Sequence, residues 1–65
     1  MQLIVNGDSV EYKGRPRLAD LLAEIAPGRR VAALVNGNVV PMAQREEHEL
    51  HEGDRIEILE FAGGG

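Results

Sequence analysis

The tripeptide Val-Asn-Gly occurs twice, at Val5 to Gly7 and again at Val35 to Gly37, each time between two short apolar stretches. Asn and Gly tolerate the positive φ angles that a two-residue hairpin turn demands, so an Asn-Gly pair flanked by alternating apolar residues signals two antiparallel strands. Around the first copy, Leu3 and Val5 lead in and Val10 and Tyr12 lead out. Around the second, Val31 to Val35 form an apolar strand, and Val39 and Val40 form a short one ended by Pro41, which cannot donate to a ladder. The chain is expected to build two hairpins, and the segment between them has to cover them.

That segment contains LADLLAEI, where Leu18, Leu21, Leu22 and Ile25 fall at i, i+3, i+4 and i+7 and Asp20 and Glu24 fall opposite. The spacing predicts an amphipathic helix of about three turns. Pro27-Gly28 closes it, because Pro27 cannot continue the ladder and biases its predecessor away from helical angles. The start is less well marked: Pro16 suits a first helical position, but Arg15 and Arg17 are poor caps. From Met42 to Glu52 the sequence is polar and aperiodic, with Leu50 its large aliphatic anchor, so a turn or single helical turn packed down by Leu50 is expected. After a Gly53-Asp54 turn, RIEILEF reads as a last strand with Ile56 and Ile58 on one face and Leu59 and Phe61 on the other. The order ββαββ plus a final strand is an α+β arrangement, one mixed sheet with one helix across one face.

With 65 residues the chain has room for one small domain. It has no cysteine, hence no disulfide framework and no thiolate nucleophile or metal ligand, which fits a reducing, cytoplasmic setting. No basic leader precedes a long apolar run, and no stretch approaches the roughly 20 apolar residues of a membrane span. Eleven acidic residues against seven basic ones, with one Tyr, one Phe and no Trp, argue against nucleic acid as a partner. The acidic balance suits a partner protein with a basic groove, and it also suits plain solubility.

Few residues offer chemistry. His48 and His51 stand among carboxylates in EEHELHEG, but the second His comes too soon for the HExxH zinc motif, so no metal site is expected. Ser9 has no base candidate nearby, and no Gly-rich run with a phosphate-binding lysine joins a strand to a helix. No autonomous active site is expected. What stands out is the ending, Gly63-Gly64-Gly65, the residues most costly to hold in one conformation.

Taken in order, the Asn6-Gly7 hairpin, LADLL, VNGNVVP, EGDRIEI and the Gly64-Gly65 ending resemble the sulfur-carrier family of thiamine thiazole biosynthesis, a small branch of the ubiquitin-like β-grasp group. The resemblance covers the whole chain. Two positions depart from the family's pattern: Arg17 stands where a small capping residue is common, and Met42 stands where a basic residue often follows the Val-Pro pair.

The resemblance implies a β-grasp domain over residues 1–61, a mixed sheet of about five strands, and a flexible tail over 62–65. It implies that the carboxylate of Gly65 is adenylated by an ATP-dependent, ubiquitin-activating-like enzyme, then converted to a thiocarboxylate by a sulfur donor system. The sulfur passes to thiazole synthase. On this reading the chain is a covalent co-substrate and not an enzyme; it binds no cofactor, since ATP and Mg²⁺ belong to the activating enzyme. Gly63 and Gly64 form the thread that carries Gly65, and residues without Cβ enter a narrow channel with least hindrance. Extended, residues 62–65 reach on the order of 13 Å at roughly 3.3 Å per residue.

In a β-grasp fold the last strand lies between the first and third, which brings Ile4, Leu34 and Leu59 together on the face away from the helix, with Phe61 continuing the row. A contiguous apolar patch of that kind is expected to dock a partner. Glu57 and Glu60 border it and would guide a basic rim. Three alternatives stay open: the small, sulfur-carrying subunit of molybdopterin synthase, whose members tend to be longer; a ubiquitin-like modifier joined to lysines through Gly65; and a non-catalytic interaction module whose glycines are a remnant of cloning.

Overall fold

Both Asn-Gly pairs form the expected turns, with φ of 50° and 87° at Asn6 and Gly7 and of 51° and 86° at Asn36 and Gly37. The computed structural model describes residues 1–61. The first turn joins β1 (Gln2–Val5) to β2 (Asp8–Glu11), and the second joins β3 (Val31–Val35) to β4 (Asn38–Val39). Helix α1 (Leu18–Ile25) lies between the hairpins in sequence, and a 3₁₀ turn over Met42–Gln44 precedes β5 (Arg55–Glu60). The sheet order is β2-β1-β5-β3-β4, with β5 parallel to β1 and antiparallel to β3. The last strand therefore fills the centre, as the β-grasp expectation requires.

Each turn asparagine has a second role. The Asn6 amide donates to the Ile56 carbonyl at 2.9 Å, and its side-chain oxygen accepts from the Ile58 amide at 2.8 Å. Asn6 thus carries the β1–β5 ladder beyond the last residue of β1. On the other side, the Asn36 amide donates to the Arg55 carbonyl at 2.8 Å while its side-chain oxygen accepts from the Arg55 amide at 3.0 Å. The remaining Asn36 Nδ2 donates to Asp54 at 3.0 Å. Both flanks of β5 are fixed by the residues that also turn the hairpins.

The core lies between the helix and one face of the sheet. Alternation puts Leu3, Val31, Ala33, Val35 and Ile56 on that face, where all are 5 % exposed or less, against Leu18, Leu21 and Leu22 of the helix. Leu50 joins them at 2 % exposure, the anchor its isolation among polar residues suggested.

Helix α1 has eight residues, about two turns, one turn fewer than its spacing suggests. Pro16 stays outside it. Arg17 occupies the N-cap position with φ −129° and makes no side-chain capping bond. The first two helical amides are satisfied instead by backbone: Leu18 donates to the His48 carbonyl and Ala19 to the Arg45 carbonyl, each at 3.0 Å. Leu50 in turn donates to the Pro16 carbonyl at 2.9 Å. The aperiodic segment therefore caps the helix from outside, which is why an arginine is tolerated at a position that usually wants a short oxygen-bearing side chain.

Tyr12 is buried, 2 % exposed, and its hydroxyl donates to the Arg15 carbonyl at 2.7 Å. Its ring fills the space a side chain at position 14 would need: a Cβ on Gly14 would stand 2.4 Å from the Tyr12 hydroxyl oxygen. Because the ring is enclosed, it cannot swing aside. Burial, then the nearby charges of Asp20 and Glu24, raise the phenol above its ordinary value near 10, and Arg15 opposes them. The fold thus favours the neutral phenol. This contribution is complete below the unfolded value and is lost as pH rises through the raised folded one.

Gly14→Ala is expected to destabilise the domain by about 1–3 kcal/mol, measured by urea unfolding. Above pH 10 the wild type should lose stability that Tyr12→Phe does not lose; parallel pH curves for the two proteins would exclude Tyr12 as the cause. Asn6→Gly, which keeps the turn but removes the bond to Ile58, is expected to cost about 1 kcal/mol, and an unchanged unfolding midpoint would show that bond to be inert.

Candidate docking face and tail root

The face of the sheet away from the helix is formed by residues that alternate with the core. On β3 these are Ala32 and Leu34, on β5 Arg55, Glu57 and Leu59, and on β4 Val39. Leu34 is half-buried and lies between Val39 on one side and Glu57 on the other, while Leu59 lies opposite Ala32. Leu34 and Leu59 are diagonal neighbours, within reach of each other across the strand pair. Val39 is 66 % exposed, Leu59 59 % and Phe61 60 %, a strip running from the β4 edge toward the tail. The Phe61 amide donates to the Arg30 carbonyl at 3.1 Å, extending the β3–β5 ladder one step past the end of β5.

Ile4 is placed differently from the expectation. It shares the outer face and is 37 % exposed, but its parallel neighbour on β5 is Arg55, not Leu59. Leu59 lies four residues further along, about 13 Å at roughly 3.3 Å per residue. Arg55 and Glu57 intervene, so Ile4 does not join Leu34, Leu59 and Phe61 in one patch. The cause is the stagger of the parallel pairing, which aligns β1 with the beginning of β5. Ile4 instead helps to line an open cleft with Gly7, Gly37, Arg55 and Glu57.

Glu60 also departs from its expected place. It alternates with Leu59, pairs opposite the buried Val31, and lies 3.5 Å from the Arg29 guanidinium. It belongs to the helix side, so Glu57 alone of the two borders the outer strip. Val39, by contrast, joins the strip unforeseen. The signal was present in Val39-Val40: adjacent strand residues face opposite ways, and Val40 is buried.

Arg45 supports the strip from behind. Its Nη2 donates to the Val31 carbonyl at 2.8 Å and its Nε to the Val40 carbonyl at 3.3 Å, tying the start of β3 to the end of β4. His51 lies in the 3.7–3.9 Å range from Glu49 and Asp54, and among the described residues no group of three or more metal-ligating side chains comes together. Ser9 donates to the Gln2 side-chain oxygen at 3.0 Å. No helix among the described residues is long and apolar enough to cross a membrane. The tail residues Gly63, Gly64 and Gly65, with Ala62, lie outside the described residues.

The sequence pattern of the ThiS family matches residues 3–65, nearly the whole chain. The chain belongs to the ThiS family. It is also 32 % identical over 66 residues to a thiazole synthase of Paramagnetospirillum magneticum, a match that takes in 100 % of this chain and 20 % of that protein. The chain thus spans about a fifth of the length of that relative. The crystal structure of a ThiS thiamine biosynthesis protein from Geobacter metallireducens matches with a TM-score of 0.81 and 30 % identity over 100 % of both chains. A solution structure of a thiamine biosynthesis protein from the same organism gives 0.78 at 30 % identity, covering 100 % of this chain and 88 % of the other. The family match and these solved structures bear out the expected family and its β-grasp fold.

The face assignment predicts a contrast along one strand. Leu59→Asp is expected to cost about 1 kcal/mol or less, because that side chain is already solvated. Ile56→Ala, three residues earlier in the strand and on the buried face, is expected to cost about 2–4 kcal/mol. Denaturant unfolding of both variants checks it, and equal losses would reverse the assignment.

Proposed function

We propose that this chain carries sulfur on the carboxylate of Gly65 and acts as a covalent co-substrate of other enzymes, not as an enzyme. A free carboxylate resists nucleophiles because it is anionic and its oxygen is a poor leaving group. In the first step a Gly65 carboxylate oxygen attacks the α-phosphorus of ATP, the α–β phosphoanhydride bond breaks, and pyrophosphate leaves with Mg²⁺ held by the activating enzyme. The resulting acyl adenylate accepts a sulfur nucleophile at the carbonyl carbon. The C–O bond to AMP then breaks; a hydrosulfide donor leaves the thiocarboxylate directly, whereas a persulfide donor leaves an acyl disulfide whose S–S bond a thiol reductant cleaves, the thiol joining the donor's inner sulfur as a disulfide and the thiocarboxylate departing. That sulfur enters the thiazole ring through thiazole synthase.

The observation that supports this reading is the family match over residues 3–65, a span that includes the terminal glycines. The thiazole synthase that contains a segment like the whole of this chain supports that enzyme as the acceptor. The strip of Leu34, Val39, Leu59 and Phe61 supplies the docking surface nearest the tail, with Ile4 and Arg55 as a separate feature. An ATP-dependent activation and the absence of cysteine both suit a cytoplasmic setting.

The function is tested by incubating the protein with a ubiquitin-activating-like adenylating enzyme, ATP and a sulfur donor, and weighing it intact. Exchange of one oxygen for sulfur is expected, and deletion of Gly65 should abolish it while the fold remains. Sulfur transfer by the Gly65 deletion would refute the terminal-carboxylate chemistry. Phe61→Asp should weaken binding to the activating enzyme more than it weakens folding, and undiminished binding would remove Phe61 from the docking surface.

A further inference from the structure

The helix side of the sheet holds a pocket of about 220 Å³ beside the end of β5. Its apolar lining includes Val5, Ile25, Val31 and Ile58, and its polar lining includes Asn6, Arg29 and Glu60. Ile25 and Ile58 are only half-buried, so apolar surface stays open to it. The volume exceeds the roughly 150 Å³ in which an apolar cavity accommodates benzene, so a leucine- or phenylalanine-sized side chain fits.

The charge around the mouth differs from that of the whole chain. Arg29 and Arg30 are both exposed in a protein of net charge −4. The Arg30 carbonyl accepts from the Phe61 amide, so this basic pair stands beside the residue from which the tail departs. Arg29 meets Glu60 at 3.5 Å with both side chains more than half exposed. An exposed pair of this kind holds weakly and exchanges readily for another carboxylate.

We infer that this pocket is a second docking element for the adenylating enzyme that receives the tail. It takes one leucine- or phenylalanine-sized side chain of that enzyme, next to an enzyme carboxylate that draws Arg29 away from Glu60. The inference rests on the carrier reading above. Fully extended, four residues span on the order of 13 Å, so a protein that encloses Gly65 stands within that distance of Phe61, whose chain neighbour Glu60 lines the pocket. The strip of Leu34, Leu59 and Phe61 lies on the opposite face of the same strand end. The enzyme therefore clasps the root of the tail from both faces, and the basic pair selects partners with an acidic, apolar-tipped segment at the channel entrance.

The test is steady-state adenylation of the full chain, followed by pyrophosphate release, with thermal unfolding of every variant in parallel. Ile58→Phe fills the pocket from its floor, and Ile25→Phe fills it from the helix if the first variant folds poorly. Each is expected to raise KM for the carrier about tenfold with kcat unchanged. Joint Arg29→Glu and Arg30→Glu should raise KM several-fold and reverse its dependence on salt. Lys13→Glu is the charge control, since Lys13 lies two residues past Glu11, which pairs with Gln2 at the other end of the sheet; its KM should match wild type. Wild-type KM in the folded pocket-filling and charge-reversed variants would overturn this inference and leave the carrier reading intact. Failure of the wild-type chain to be adenylated at all would overturn both.

Discussion

The structure depends on the insertion of β5 between β1 and β3. Neither hairpin is a stable unit alone, because a two-stranded ribbon has no second layer to bury its apolar side chains. Once β5 enters, Ile56 and Ile58 bring the two hairpins onto one surface and the helix closes over it. The insertion needs hydrogen-bond partners on both flanks over the full length of β5, yet β1 is shorter than β5 and ends at Val5. The Asn6 side chain extends the β1 flank as far as Ile58, and the Asn36 side chain extends the β3 flank to Arg55. A residue chosen for its turn angle also acts as a surrogate piece of strand.

Much of this was legible in the sequence because the relevant physics is local. The Asn-Gly turns, the 3.6-residue spacing of Leu18, Leu21, Leu22 and Ile25, and the alternation in RIEILEF each predict an element from a few neighbouring residues. Strand order came from the family resemblance. What the sequence could not supply was register. The stagger of β1 against β5 separates Ile4 from Leu59, and a stagger of a few residues leaves no trace in either strand's own alternation. Glu60 was misplaced for a simpler reason, since its alternation with Leu59 was available and was outweighed by its nearness in the chain. Val39 was likewise readable, since two adjacent valines in one extended segment face opposite sides of a sheet.

The helix shows the opposite relation between local and distant causes. Its N-terminus lacks a side-chain cap, and sequence reading treats that as a weakness. The carbonyls of Arg45 and His48 remove the weakness, and Leu50 holds their segment in place by packing into the core. The segment with least periodicity thus has a defined structural task, and its lone leucine is what makes the task possible. Arg45 adds to it by reaching Val31 and Val40, so one short stretch secures both the helix start and the strands behind the outer strip.

The central position of β5 has a consequence for how the protein is made. Among the described elements it is the last to leave the ribosome, and its partner β1 is the first. The sheet cannot close until the residues leading into the glycine tail have been synthesised, because its middle is missing until then. Contacts between the two chain ends also make closure slower than that of either hairpin. Synthesis order thereby couples folding to possession of the tail root: a nascent chain stopped short of residue 55 lacks the middle strand of its sheet and cannot close its core.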